Sequence, residues 1–258
     1  MNLTWIAMLL TIALFVGMLI TFEVGRRIGV ARLKRDPEGL TKGAGAAEGA
    51  VFALLGLLLA FTFSGAASRF EARRFYIDSE ANAIGTAYLR LDLLPEESQA
   101  PLRELFRRYT DNRVTVYQGS DLDAVKAKLA EGAAMQSEIW KRAVAASQLP
   151  GAASQAAMLL LPALNQMIEI TTARTMARRM HPPIAVYIIL VLVALVASLF
   201  ACYAMSGRRV VNWIHRFGFA VVMTIAFYLI VDFEFPRLGL IRVDSHDQLL
   251  IDLRRSMN

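Results

Sequence analysis

Read for apolar and polar positions, the chain divides into two kinds of segment. Four stretches are apolar at almost every position over about the 20 residues that a hydrocarbon core requires. They are Asn2 to Phe22, about Gly49 to Ser68, Ile184 to Met205, and about Phe217 to Val231. The first and third carry no charge, and the fourth is entered through "GRRVVNWIHRFG", where Trp213 and His215 suit a membrane interface. The intervening residues are periodic instead. From Arg69 to Leu94 only Gly85 interrupts, and Phe70, Ile77, Ala81, Ile84, Tyr88 and Leu91 recur at spacings of three, four and seven, a coiled-coil-like seam. The second membrane helix is therefore expected to continue unbroken into this region, and Gly49 to Leu94 at 1.5 Å per residue would reach about 70 Å.

Further helices follow. Pro95 with Glu96 and Glu97 opens one with Leu102, Leu105, Phe106 and Tyr109 on its apolar face. "SDLD" at 120–123 is a fair N-cap for the next, which carries Leu122, Val125 and Leu129 and extends through Ile139, Trp140 and Val144 to "LPG" at 149–151. A fourth runs from Ala152 to about Arg179, with a kink expected at Pro162, and "HPP" at 181–183 ends it. In the tail, "LGLIRV" at 238–243 is the one β-like run, and "SHDQ" at 245–248 reads as a capping box. The expected fold class is all-α: four transmembrane helices with a helical bundle outside the membrane, formed by long helices continuing from it.

Composition agrees with insertion: 56% of the 258 residues are hydrophobic and the mean hydropathy is +0.43. The net charge of +6 first suggests nucleic acid, but its distribution says otherwise. Residues 23–48 hold a net +2 and residues 206–216 a net +3, so two short loops supply +5. Residues 69–183 balance fifteen basic against thirteen acidic side chains, and the tail after 231 is at −1. Positive-inside reasoning places the loops 23–48 and 206–216 in the cytoplasm of a bacterial inner membrane, and both termini with 69–183 on the other side. The expected domains are thus 1–68, 69–183, 184–231 and 232–258. "MNLTW" lacks the positive start of a signal peptide, and Arg26 and Arg27 follow the apolar run, as in an uncleaved anchor.

Chemistry is sparse. Cys202 is the sole cysteine, and His181, His215 and His246 are scattered, so neither a disulfide framework nor a metal site is expected. "GAGAAEG" at 43–49 lacks the Lys-Ser/Thr of a phosphate cradle, and no nucleophile elbow or dinucleotide fingerprint occurs. An enzyme is not expected, and neither is a cofactor.

Two features remain. The second segment carries Gly49, Ala53, Gly56, Ala60, Ser64 and Ala67 at helical spacing, with Thr62 beside them. Small residues let helix backbones approach closely in lipid. The same stripe, repeated around an axis by several subunits, would line a path with the Thr62 and Ser64 hydroxyls. The second feature is charge at the membrane boundaries: Glu48, Arg69, Arg73, Arg74, Asp232 and Glu234. Ionised groups are expensive there, so pairing of Arg69, Arg73 or Arg74 with Asp232 or Glu234 is expected.

With this pattern in hand, "LLAFTFSGAASRFEARR", "DSEANAIGTAYLRLDLLPEE", "LFRRYTDNRV" and "VDFEFPRLGLIRV" resemble the bestrophin-like bacterial membrane proteins over residues 45 to 255. The "EAN" at 80–82, with Leu94-Pro95 downstream, is the most specific part, and Asp232, Pro236 and Gly239 match the family's ending. "SRFEARR" is similar to the segment after the pore-lining second helix of true bestrophins, which are pentameric anion channels. The resemblance implies a homo-oligomer, a pentamer by analogy with true bestrophins, passing small ions. Bestrophins keep their termini and large helical region in the cytoplasm, whereas the charge distribution here points the other way. The resulting expectation is an ion channel along the second helix. The alternative is a non-conducting membrane scaffold or envelope-stress sensor whose outer bundle binds a partner.

Overall fold

The computed structural model describes residues 3–35, 44–116, 122–204, 206, 213–236, 239–241 and 244–257. Eight α-helices account for nearly all of them: α1 Leu3–Leu33, α2 Ala44–Leu89, α3 Glu96–Thr115, α4 Leu122–Ser147, α5 Ala156–Arg179, α6 Ile184–Ala204, α7 Trp213–Glu234 and α8 Asp244–Ser256. One 3₁₀ turn, Arg90–Leu93, follows α2. Four helices are long and apolar enough to cross a membrane, and no strand occurs among the described residues.

The chain forms two units, one of residues 1–70 with 181–242, the other of 71–180 with 243–258. The 46-residue α2 contributes to both without a break, as the missing punctuation after Ser68 predicted.

In the first unit α1 packs along α6 and α7. Leu14, Met18 and Phe22 of α1 meet a core of Leu190, Ala194 and Ala197 from α6 and Ala220, Met223, Phe227 and Ile230 from α7. The α1–α6 seam is tight at two glycines. A Cβ on Gly25 would overlap the Leu199 carbonyl, and one on Gly29 would meet the Tyr203 carbonyl and the Ser206 side chain. Close backbone approach is what glycine allows in such seams.

α1 runs eleven residues past Phe22 into what charge counting treats as loop. Glu23 holds the extension, accepting from Arg26 and Arg27 one turn on. Residues 213–216 likewise belong to α7 rather than to the 206–216 loop. The rest of that loop (207–212) and residues 36–43 lie outside the described residues, with Lys42, Arg208 and Arg209 among them.

The second unit is a helical bundle. Ala81 and Ile84 of the predicted seam are buried on α2, with Leu91 after it, against Leu102, Phe106 and Tyr109 of α3, Ile139 and Ala143 of α4 and Leu160, Leu164 and Met167 of α5, and Ile77 is buried one turn before them. Pro95 occupies the N-cap of α3, and Glu96 and Glu97 its first turn. Ser120 and Asp121 of the expected α4 cap lie outside the described residues. Gly151, at φ +92°, makes the turn before α5, which starts at Ala156 rather than Ala152. Pro162 is accommodated inside α5.

The tail departs from its reading. Residues 239–241 form bends, not a strand: the Asp232 carboxylate accepts from the Leu240 and Ile241 N–H groups at 3.0 and 2.9 Å, removing both donors from any ladder. Leu238, Arg242 and Val243 of that run lie outside the described residues. α8 begins at Asp244, before the Ser245 of the expected capping box, and Gln248 donates forward to Asp252 instead of back to the helix start. α8 closes the second unit through Leu250 and Met257, whose carbonyl accepts from Tyr88 and Arg107.

Candidate functional site

Within the first unit, α2 turns one face inward. Leu55 and Ala66 are buried, and Phe52, Phe63 and Phe70 make edge-to-face ring contacts with Phe219 or Phe233 of α7. The small-residue stripe lies on another face. Gly49, Ala53, Gly56, Ala60 and Ser64 are exposed within the chain, and Thr62 and Ala67 are half-buried. A Cβ built on Gly49 or Gly56 meets nothing within 4 Å. The stripe therefore serves no packing inside this chain, and its close-approach role there falls to Gly25 and Gly29 of α1. Thr62 is committed locally, its hydroxyl lying 2.7 Å from the Leu58 carbonyl. Ser64 and, one turn on, Ser68 are the exposed hydroxyls on this face.

The boundary charges resolve into separate jobs. Glu234 ends α7 with its side chain fully buried, and Arg69 of α2 directs both Nε and Nη2 at Oε2, each at 2.8 Å. The other oxygen, Oε1, lies 2.9 Å from Nδ1 of His181, whose ring stacks on Phe235. Arg69 is the partner that the sequence expectation had among its choices. Arg73 instead donates to the Ala177 and Met180 carbonyls at the end of α5, where a cation suits the helix dipole. Arg74 pairs with Glu71 one turn back. Asp232 holds the backbone turn described above, and a Cβ on Gly239 would overlap its carboxylate. Glu48 is half-buried near the start of α2.

A third cluster lies in the second unit, around Glu80 of "EAN". Its carboxylate is fully buried and accepts from Arg113 on α3 at Oε1 and from Arg174 on α5 at Oε2. Arg174 also reaches Asp247 of α8 at 3.0 Å. Thr171 lies 3.2 Å from the Glu80 carboxylate and 3.0 Å from the Tyr109 hydroxyl, which accepts from Gln136 at 2.8 Å. Burial pushes the Glu80 carboxyl up, but the Arg113 and Arg174 charges and their hydrogen bonds outweigh it and hold the group below its usual range. Burial first, and then the Glu80 charge, push the Tyr109 phenol up to about 12. Each polar atom serves another, so this network fixes the register of α2, α3, α5 and α8.

Sequence reading missed this cluster: Glu80, Arg113 and Arg174 are distant in the chain and sit among ordinary helical charges. It also missed His181 as a partner of Glu234. The Gly25–Gly29 seam did leave a signal, a glycine pair at spacing four in "GRRIG". Among the described residues no group of three or more His, Cys, Asp or Glu side chains is placed to hold a metal ion.

Four apolar helices, one with an unpartnered face of small residues, and a second all-helical unit define the class: a polytopic helical membrane protein, its apolar helices in contact with lipid. The chain belongs to the Bestrophin-like domain family, whose model matches residues 12–247. No curated protein and no solved structure matches it.

Proposed function

We propose that the protein is a homo-oligomeric, non-enzymatic ion channel of a bacterial inner membrane. Copies of α2 surround an axis and turn Gly49, Ala53, Gly56, Ala60 and Ser64 toward it. The observation that carries this reading is the exposure of that stripe within the chain. Glycine and alanine contribute little to lipid solvation, yet the positions are open. A close neighbour from another copy, or a water-filled axis, accounts for both facts. Membership of the Bestrophin-like family supports permeation, with a small anion as the favoured species. The orientation we favour follows the basic loops: they lie in the cytoplasm, and the termini and residues 69–183 lie outside.

A second reading has its own support. From Gly49 to Ala60 this face carries no hydroxyl, and the exposed ones, Ser64 and Ser68, come only toward the Arg69 end. A dry seam between copies would suit that, and the protein would then be a scaffold or sensor. Reconstitution separates the two. Purified protein in liposomes should pass small ions above the rate of empty liposomes, and Gly56→Leu should change that flux with the oligomer intact. Absence of flux favours the scaffold, and an oligomer that dissociates on Gly56→Leu assigns the stripe to packing.

A further inference from the structure

The end of α1 carries a feature that neither a pore nor a packing role uses. Arg26, Arg27, Lys34 and Arg35, with Val30 and Ala31 between them, line an open cavity of about 420 Å³. It is a groove along one face of α1, and among the described residues its charged lining is all of one sign. One acid tempers it: Glu23 accepts from Arg26 and Arg27 and lies 3.9 Å from Arg216 of α7. A single carboxylate thus faces three guanidiniums, while Lys34 and Arg35 add two exposed charges with no acid among the described lining residues. The Glu23 bonds also fix the Arg26 and Arg27 side chains in place before any ligand arrives.

Position narrows the ligand. The apolar run of α1 ends at Phe22. At 1.5 Å per residue Arg26 stands about 6 Å and Arg35 about 20 Å beyond it along the helix. The polar headgroup zone is roughly 5–8 Å deep on each side of the hydrocarbon. The lining therefore begins at headgroup depth with Arg26 and Arg27 and continues outward to Lys34 and Arg35, still within the field of an acidic leaflet, where clustered basic side chains recognise acidic phospholipid. Val30 and Ala31 give it an apolar floor.

We infer that the cavity lined by Arg26, Arg27, Lys34 and Arg35 binds a phosphate-bearing anion, the headgroup of an acidic phospholipid. Free inorganic phosphate shares the chemistry, and the test separates the two sources. Full-length protein in neutral detergent is offered equal phosphatidylglycerol and phosphatidylcholine, and the retained lipid is read by native mass spectrometry. Phosphatidylglycerol should be retained preferentially, and Lys34→Gln should weaken that retention about fivefold, the effect of one basic charge near a headgroup. Arg32→Gln removes the same charge from α1 outside the lining and should leave retention unchanged. If phosphatidylglycerol is not preferred but inorganic phosphate raises the melting temperature of the wild type and not of Lys34→Gln, the site takes free phosphate. The inference is overturned if neither ligand is preferred. It is also overturned if Arg32→Gln weakens retention as much as Lys34→Gln, since binding would then be diffuse surface charge.

Discussion

Arg69 and Glu234 meet as a fork on one oxygen: Nε and Nη2 of the arginine each lie 2.8 Å from Oε2 of a carboxylate that is wholly buried. The two residues stand 165 positions apart, so this pair ties α2 to the end of α7. With Phe63 and Phe70 against Phe233 it holds α2 by one face and leaves the stripe open.

Arg69→Met should therefore destabilise the protein by about 3 kcal/mol, because it removes the guanidinium from a wholly buried carboxylate. Arg69→Lys should recover only part of this, since an ammonium cannot supply two parallel donors. Thermal unfolding in detergent checks both variants, and an unchanged melting temperature for Arg69→Met would exclude a structural role for the pair.

Glu80 predicts an acid-sensitive second unit. Its folded pKa lies below the unfolded value of about 4.3. The stability it provides is thus present above pH 4.3 and is lost as pH falls through the folded value. At pH 7, Glu80→Gln should cost about 3–5 kcal/mol by leaving Arg113 and Arg174 buried without their carboxylate. The same variant should flatten the acid limb of stability against pH. A Glu80→Gln protein with the wild-type acid slope would assign that slope to other groups.

Tyr109 makes the opposite prediction at high pH. With its phenol pushed up to about 12, it stabilises fully below the ordinary tyrosine value near 10, and that contribution is lost as pH rises toward 12. In a tyrosinate absorbance titration, Tyr109→Phe should delete the last-titrating component. If the variant instead loses a component near pH 10, Tyr109 is not held in the buried network.

The two kinds of glycine should respond in opposite ways. Gly25→Val forces a side chain against the Leu199 carbonyl and should cost at least about 1–3 kcal/mol of stability. Gly56→Leu adds a side chain where nothing lies within 4 Å, so the fold of the chain should be unaffected. Expression and melting temperature of the two variants, measured side by side, decide this.

The helices were legible because their signals are local. Apolar runs of membrane length, the three-four spacing from Ile77 to Leu91 and the acids behind Pro95 each act within a turn or two. Helix ends were less so, because α1 is carried past Phe22 by Glu23 and its arginines, and α7 starts at Trp213 inside the basic stretch. The "LGLIRV" run misled because the Asp232 carboxylate, eight and nine positions back, claims the amides of Leu240 and Ile241. Pairings across the chain, Glu80 with Arg113 and Arg174 above all, leave no spacing to read. The stripe was visible in sequence, but only the packed face of α2 shows that it points away from the rest of the chain.

Accessibility of that stripe tests the central claim most directly. Cysteines at Ala53, Gly56 and Ser64 in a Cys202→Ala background, with Leu55→Cys as the buried control, can be probed in liposomes with a charged, membrane-impermeant thiol reagent during flux. The channel reading predicts that Gly56→Cys and Ser64→Cys react and that flux falls as they do, while Leu55→Cys stays inert. If these positions react only with a lipid-soluble reagent and flux is unchanged, the stripe faces lipid and α2 does not line a pore.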